Sequence, residues 1–179
     1  MVYAILAVVG GICVLNLILM LGVIRRLREH SDLISKGSAG PADDDAILRT
    51  GEIVNDFSAV GLDGDTISLE KIDDLTVFGF FSSTCPPCKE QIPPFRDYVE
   101  RLPYGRKMAV AVIAGEGDEA LAMAESLNDV ARVIIEPIAG PVGAAFRLSA
   151  VPAVALVEPG GKALQSGRKV SALPTFAAA

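Results

Sequence analysis

Two cysteines three positions apart are the residues of this sequence whose type and spacing most directly suggest chemistry. The segment Cys85-Pro86-Pro87-Cys88 follows an apolar run, residues 76–81, and precedes a stretch compatible with a helix. Two cysteines in the first turn of a helix can close a small reversible disulfide, and the helix N-terminus favours the thiolate of the first sulfur. We therefore predict a redox-active dithiol, with Cys85 and Cys88 as the catalytic residues.

Half of a zinc site is the alternative interpretation of the same spacing. A structural zinc ion would need two further Cys or His ligands, and the chain offers only Cys13, inside an apolar segment, and His30. Because a strand, the motif and a helix occur in the order typical of redox proteins, the dithiol interpretation is favoured. We predict no metal site and no cofactor.

An apolar N-terminal segment predicts a membrane anchor over residues 1–24. Val2 to Ile24 is free of charged residues across 23 positions, and as a helix it would span about 35 Å, enough to cross a bilayer. A cleaved signal peptide would have a basic start, a shorter apolar region and a small-residue cleavage site. We therefore predict a single-pass membrane protein held in the membrane by residues 2–24.

The rest of the chain divides into a tether and one domain. Residues 25–50 begin with arginines and continue with small and acidic residues, which indicates a juxtamembrane basic segment and a flexible linker. Residues 51–179 have the usual size of a single domain. The chain carries a net charge of −6, and it has no basic stripe with interleaved aromatic residues, so a nucleic-acid partner is not expected.

Two arguments disagree about the membrane side of the domain. Arg25, Arg26 and Arg28 follow the apolar segment, and the positive-inside rule would place that flank in the cytoplasm. Disulfide chemistry on a membrane tether belongs more often to the oxidising side. We expect an extracytoplasmic domain, against the charge signal.

The pattern after residue 50 alternates short strands and helices. It predicts an α/β domain with a mixed central sheet and helices on both faces. The predicted elements are a hairpin over 56–69, a strand at 76–81, a helix from the motif to about residue 101, a strand at 108–114, a helix at 117–128, a strand at 132–136, a short helix at 140–148 and a second hairpin over 153–165.

This order resembles the thioredoxin-like superfamily. The segment from Ser83 to Lys89, Pro93 within the following helix and Val151-Pro152 are similar to membrane-anchored TlpA/ResA-type thiol-disulfide oxidoreductases, and the motif is closest to the accessory (MauD-type) proteins of methylamine utilisation. The resemblance covers about residues 51–170. It implies a thioredoxin-like fold with an N-terminal hairpin extension, in which the helix bends at Pro93 and Pro94. Without the resemblance, those two prolines would indicate the end of a helix.

The resemblance also implies a substrate groove and a mechanism. It predicts that Pro152 is cis and lies against the dithiol, whereas a trans proline opening an edge strand is the ordinary alternative. The implied groove is lined by Thr84, Pro86, Pro87, Val151 and Pro152.

In the implied mechanism Cys85 attacks a client disulfide and Cys88 resolves the mixed disulfide. The partners would be client protein thiols or disulfides, for example in maturation of a cytochrome or another enzyme. A redox partner protein would supply or accept electrons.

Several positions depart from the family pattern. Gln91 stands where cytochrome-maturation reductases carry a glutamate, with Glu90 one place earlier. Gly79 stands where thioredoxins keep a buried aspartate, and Thr84 replaces the tryptophan common before the first cysteine. A carboxylate proton acceptor for Cys88 is therefore not expected at these positions.

Two other functions stay open. A peroxiredoxin-like peroxide reductase would need a proline and a Ser or Thr before its reactive cysteine, and Ser82 fits while Phe78 does not. A non-catalytic assembly or scaffold module could keep the fold and use the Val151-Pro152 groove to hold a partner.

Overall fold

The computed structural model of the chain describes residues 10–11, 46–137 and 139–176. The chain divides into two compact units, Met1–Pro41 and Ala42–Ala179, and only the helical residues Gly10 and Gly11 of the first are described. Apart from Gly10 and Gly11, the predicted anchor therefore lies outside the described residues, as does most of the predicted linker. Within the described ranges, none of the helices combines the length and apolar character needed to span a bilayer.

Seven strands of the described chain form a two-stranded hairpin and a five-stranded mixed sheet. In chain order they are β1 (Ser58–Val60), β2 (Thr66–Ser68), β3 (Thr76–Ser82), β4 (Ala109–Ala114), β5 (Arg132–Glu136), β6 (Ala153–Val157) and β7 (Ala163–Gly167). The large sheet has the order β5-β4-β3-β6-β7. Strands β3, β4 and β5 run parallel, while β6 and β7 pair antiparallel, so the predicted mixed sheet is confirmed.

Three α-helices connect these strands. They are α1 (Pro86–Glu100), α2 (Asp118–Glu125) and α3 (Pro141–Ala145). The last two are shorter than the predicted 117–128 and 140–148. Helix α2 gives way at Ser126 to tight turns, in which the Leu127 amide donates to the Ala124 carbonyl. Helix α3 ends because Arg147 adopts a left-handed conformation, with φ of 50°.

Apolar side chains cover both faces of the sheet. One cluster joins α1 and α2 to the sheet through residues such as Phe95, Val99 and Ala124. The other joins α3 and the β1-β2 hairpin to the opposite face through residues such as Phe78 and Phe146, whose ring centroids are 4.6 Å apart. Because both faces are buried, β3 and β4 consist of near-continuous apolar residues, as parallel strands do.

The packed domain includes residues before the boundary predicted at 51. Ala46, Ile47 and Leu48 are buried, and the Leu48 amide donates a hydrogen bond of 2.9 Å to the Phe146 carbonyl. The last residues of the segment expected to be linker are therefore fixed on the domain by apolar burial.

Helix α1 begins where β3 ends, at the carboxyl edge of the parallel strands. Cys85 is the N-cap residue in an extended conformation, and Pro86 occupies the first helical position, where a missing N–H costs nothing. The helix continues through Pro93 and Pro94 to Glu100. Its buried face carries Cys88, Phe95 and Val99, at helical spacing.

Gly79 lets α1 approach the central strand closely. A Cβ atom at this position would lie 2.6 Å from a Phe81 ring carbon and 2.7 Å from a Phe95 ring carbon. These two rings pack edge to face, with centroids 5.2 Å apart, and both are fully buried. The space that a side chain at position 79 would need is therefore filled by aromatic rings from the strand and from α1.

We predict that Gly79→Ala lowers the free energy of unfolding by about 1–3 kcal/mol, the usual cost of overpacking a dense core. Urea denaturation followed by circular dichroism measures the loss. Phe95→Leu removes one of the two rings, so the Gly79→Ala/Phe95→Leu double variant should lose less than the sum of the single losses. Additive losses, or a Gly79→Ala variant as stable as the parent, would show that the site has room for a side chain.

Candidate active site

The two cysteines of the motif differ sharply in exposure. Cys85 is half-buried at the start of α1, and Cys88 is completely buried one turn later. Both are free thiols, and the Cys85 side chain is close enough to Cys88 to affect its pKa. The Cys88 amide donates a 3.0 Å hydrogen bond to the Cys85 carbonyl, which closes the first turn of the helix. The structure therefore presents one sulfur to solvent and keeps the other within reach behind it.

A loop 66 residues away in sequence meets the exposed sulfur. The Val151-Pro152 peptide bond is cis, as the resemblance implies. The Cys85 thiol lies 3.8 Å from the Val151 carbonyl oxygen, to which it donates a long hydrogen bond. This loop reaches the dithiol because β6, which follows it, pairs antiparallel with β3, which precedes the motif.

The structure brings the predicted groove residues together but exposes them unequally. Thr84, Pro86 and Pro87 are exposed around Cys85, whereas Val151 is half-buried and Pro152 is buried. The surface beside the Cys85 sulfur is therefore made mainly by the motif residues, with Val151 contributing its carbonyl and part of its side chain.

Burial raises the pKa of the Cys88 thiol to about 12, and the neighbouring Cys85 thiol adds to the rise. Hydrogen bonding to the Ser82 backbone and the positive charge of Arg168 oppose it. The physical cause is that an apolar environment disfavours the charged thiolate. Cys88 is therefore a neutral thiol at physiological pH, able to donate a hydrogen bond to Cys85.

Positions 91 and 79, where the family pattern has a carboxylate, carry Gln91 and Gly79 in this chain. The Gln91 side chain accepts a 3.0 Å hydrogen bond from the Val170 amide, which fixes the C-terminal segment to α1. Glu90 is exposed, and the space above Gly79 is occupied by Phe81 and Phe95.

Arg168 is the residue of this site that the sequence did not single out. Arg168 directly follows β7, the last strand in chain order, and its positive charge favours the thiolate of Cys88. Arg168 lies 80 positions after Cys88 in the sequence, so no local sequence pattern connects the two residues. Only the sheet order, which returns β6 and β7 to the side of β3, brings it near.

The two positions compared with a peroxide reductase, Ser82 and Phe78, are both buried. Ser82 is buried, and its hydroxyl shares a 3.2 Å hydrogen bond with the Thr84 hydroxyl. Phe78 is fully buried in the aromatic cluster with Phe57 and Phe146. Among the described residues, no group of three or more His, Cys, Asp or Glu side chains could hold a metal ion, while Cys13 and His30 lie outside them.

Comparison with solved structures finds similar folds in redox proteins. The thioredoxin domain of a thiol-disulfide oxidoreductase from Bacteroides vulgatus is 18% identical, with a TM-score of 0.53 over 66% of this chain and 88% of that chain. A thiol:disulfide interchange protein from a Bacteroides species is 17% identical, with a TM-score of 0.53 over 66% and 81% of the two chains. StoA from Bacillus subtilis is 16% identical, with a TM-score of 0.52 over 66% and 93%.

These neighbours establish the thioredoxin-like fold. None of the curated proteins matches the sequence. The AhpC/TSA family matches residues 50–162, which is more than half of the chain. The chain is therefore a member of the AhpC/TSA family with a thioredoxin-like fold, and its structural neighbours are thiol-disulfide oxidoreductases.

Proposed function

We propose that this protein is a thiol-disulfide oxidoreductase that exchanges disulfides with client protein cysteines through Cys85 and Cys88. One observation carries the proposal: a half-exposed sulfur and a fully buried sulfur share the first turn of α1, and the half-exposed one lies 3.8 Å from the Val151 carbonyl oxygen. An exposed nucleophile backed by a protected resolving thiol is the arrangement that two-step disulfide exchange requires.

In the first step the Cys85 thiolate attacks one sulfur of a client disulfide. The client S–S bond breaks, a mixed disulfide forms between Cys85 and the client, and the other client sulfur leaves as a thiolate. The Val151 carbonyl, 3.8 Å from Cys85 Sγ, is an acceptor for a backbone N–H of the client segment.

In the second step Cys88 loses its proton and attacks the Cys85 sulfur. The mixed disulfide breaks, the Cys85–Cys88 disulfide forms, and the client leaves with both cysteines reduced. Two electrons have then passed from the protein to the client. Burial keeps the pKa of Cys88 high throughout, while Arg168 favours the thiolate. Formation of the mixed disulfide removes the Cys85 thiol, which also raises that pKa, so Cys88 loses its proton more easily after attack than before it.

Each cycle needs a redox partner. A dithiol protein that reduces the Cys85–Cys88 disulfide would complete the reductive direction, and an oxidant that re-forms it would complete the reverse. The same atoms serve both directions. We propose a client such as a cytochrome or another enzyme under maturation, because the motif resembles that of the accessory proteins described above.

We further propose that residues 2–24 tether the domain to a membrane on its extracytoplasmic side. The support is the uncharged length of that segment and the oxidising environment in which disulfide exchange on a membrane tether usually works.

The cysteine variants test the exchange mechanism directly. We expect Cys88→Ser to accumulate a stable mixed disulfide with client proteins, because attack proceeds and resolution cannot. Cys85→Ser should form none, and Cys13→Ser should behave as the unmodified protein. Non-reducing electrophoresis of acid-quenched cell extracts, with and without reductant, measures the adducts.

A Cys85→Ser/Cys88→Ser double variant that matures its client normally would favour the scaffold function instead. Peroxide consumption by the purified reduced protein, lost in Cys85→Ser, would favour peroxide reduction.

The buried thiol predicts a difference in alkylation of the two cysteines. With its pKa raised to about 12, Cys88 is ionised to about one part in ten thousand at pH 8. Iodoacetamide should therefore label Cys85 first, and the rate at Cys88 should rise about tenfold per pH unit until the protein unfolds. Mass spectrometry of the reduced protein measures both sites. Equal labelling at pH 7 to 8 in the folded protein would contradict the buried site, and equal labelling in denaturant is the control.

The membrane side is tested in intact cells. A membrane-impermeant maleimide, applied after mild reduction, should label Cys85 without lysis if the domain is extracytoplasmic. A known cytoplasmic thiol protein in the same cells should stay unlabelled. Labelling of Cys85 only after permeabilisation would place the domain on the side that Arg25, Arg26 and Arg28 indicate.

A further inference from the structure

An open groove of about 500 Å³ runs between α1 and α2, beside the dithiol but separate from the groove at Val151-Pro152. Its walls come from the segment before the motif, from the first two turns of α1 and from α2. The lining residues are Ser83, Lys89, Ile92, Pro93, Glu119, Ala122, Met123 and Ser126.

Two residues of the groove lining are sequence neighbours of the dithiol motif. Ser83 lies two residues before Cys85, and Lys89 directly follows Cys88. A polypeptide whose cysteine has reached Cys85 would therefore have its neighbouring residues within reach of the groove, since consecutive residues of an extended chain advance by about 3.3 Å.

The floor of the groove is apolar. Ile92 and Met123 pack against the core and remain half-buried, while Pro93 and Ala122 are exposed. A client side chain bound there would exclude water from its own surface and from the surfaces of these four residues. Met123 adds a flexible thioether, which adapts to apolar side chains of different shape. These properties suit one apolar client side chain.

The two walls carry opposite charges. Lys89 on α1 and Glu119 in the first turn of α2 are both exposed. In the described part of the chain neither takes part in a salt bridge. A bound segment with an acidic residue toward Lys89 and a basic residue toward Glu119 would satisfy both.

The helix backbone offers a hydrogen-bond acceptor at the same place. Pro93 has no N–H, so the Lys89 carbonyl lacks the donor that a helix normally supplies four residues later. Lys89 and Pro93 both line the groove, and an extended segment could donate a backbone N–H to this carbonyl.

We propose that the α1-α2 groove binds the client segment adjacent to the reacting cysteine. It holds one apolar side chain between Ile92 and Met123, with an acidic neighbour toward Lys89 and a basic neighbour toward Glu119. The inference rests on the proposed exchange with client proteins and deepens it, because it names the polypeptide sequences that would react fastest.

The test uses the full chain and peptides activated as thionitrobenzoate disulfides, so that attack by Cys85 releases a coloured thiol. A peptide series places one leucine at successive positions on either side of the cysteine, and a second series has serine instead. N-acetylcysteine thionitrobenzoate disulfide, which lacks flanking residues, is the small reference probe. The reduced protein should react at least about tenfold faster with the leucine peptide at one position than with its serine partner, a factor that corresponds to 1.4 kcal/mol.

Ala122→Trp fills the groove from an exposed helical position and should abolish this leucine preference. The matched control is Leu121→Trp, on the same helix, 41% exposed and outside the groove lining, which should keep the preference. Glu119→Lys should reverse the preference for a basic over an acidic neighbour, while Glu125→Lys, also exposed on α2, should not. Each rate is divided by the rate with the small reference probe, so that changes in the reactivity of the Cys85 sulfur cancel.

Absence of any leucine preference in the unmodified protein, or its persistence in Ala122→Trp, overturns the inference. Reaction with the small probe but with no leucine preference leaves the proposed exchange chemistry intact. Failure to react with either probe overturns the proposed function and this inference together.

Discussion

The close approach of α1 to β3 at Gly79 is the packing constraint on which the site depends. The rings of Phe81 and Phe95 fill the volume that a side chain at position 79 would occupy. They seat the helix on the sheet so that its first turn lies at the carboxyl edge of β3. One consequence is that Cys88 points into the core while Cys85 stays at the surface.

The same packing determines the chemical character of the dithiol. Where a buried carboxylate would serve as proton acceptor, this chain has aromatic carbon, and Gln91 is engaged with the Val170 amide. An apolar surrounding, which the charge of Arg168 only partly offsets, leaves Cys88 neutral. In the proposed mechanism the exposed sulfur of Cys85 is the nucleophile and the buried sulfur of Cys88 resolves the mixed disulfide, an asymmetry that follows from burial rather than from a dedicated acid or base.

Much of this could be predicted from the sequence, because the pattern is local. The apolar runs at 76–81 and 108–114 gave two parallel strands, and the mixed sheet with helices on both faces is confirmed. Helix ends were less predictable, since turns at Ser126 and Arg147 depend on backbone geometry that composition does not specify. Pro93 and Pro94 indicated a helix end locally, and only the resemblance extended the helix past them.

Contacts between distant segments were the part that local sequence patterns could not supply, and only the resemblance predicted that the Val151-Pro152 loop lies against the dithiol. The approach of Val151 to Cys85, the electrostatic effect of Arg168 on Cys88 and the engagement of Gln91 with Val170 each join residues 66 to 80 positions apart. Such contacts follow from strand order, which periodicity does not encode. The α1-α2 groove belongs to the same class, because its two walls come from helices separated by β4.

The central claim is that Cys85 and Cys88 form and break one disulfide reversibly. Equilibrating the purified full chain in glutathione buffers of graded ratio, quenching with acid and mapping the cysteine-containing peptides tests it most directly. The account predicts a single two-electron transition in which a Cys85–Cys88 linked peptide appears and disappears with the same midpoint from either direction. Two thiols that stay free across the whole range, or a disulfide that forms only with Cys13, would contradict it.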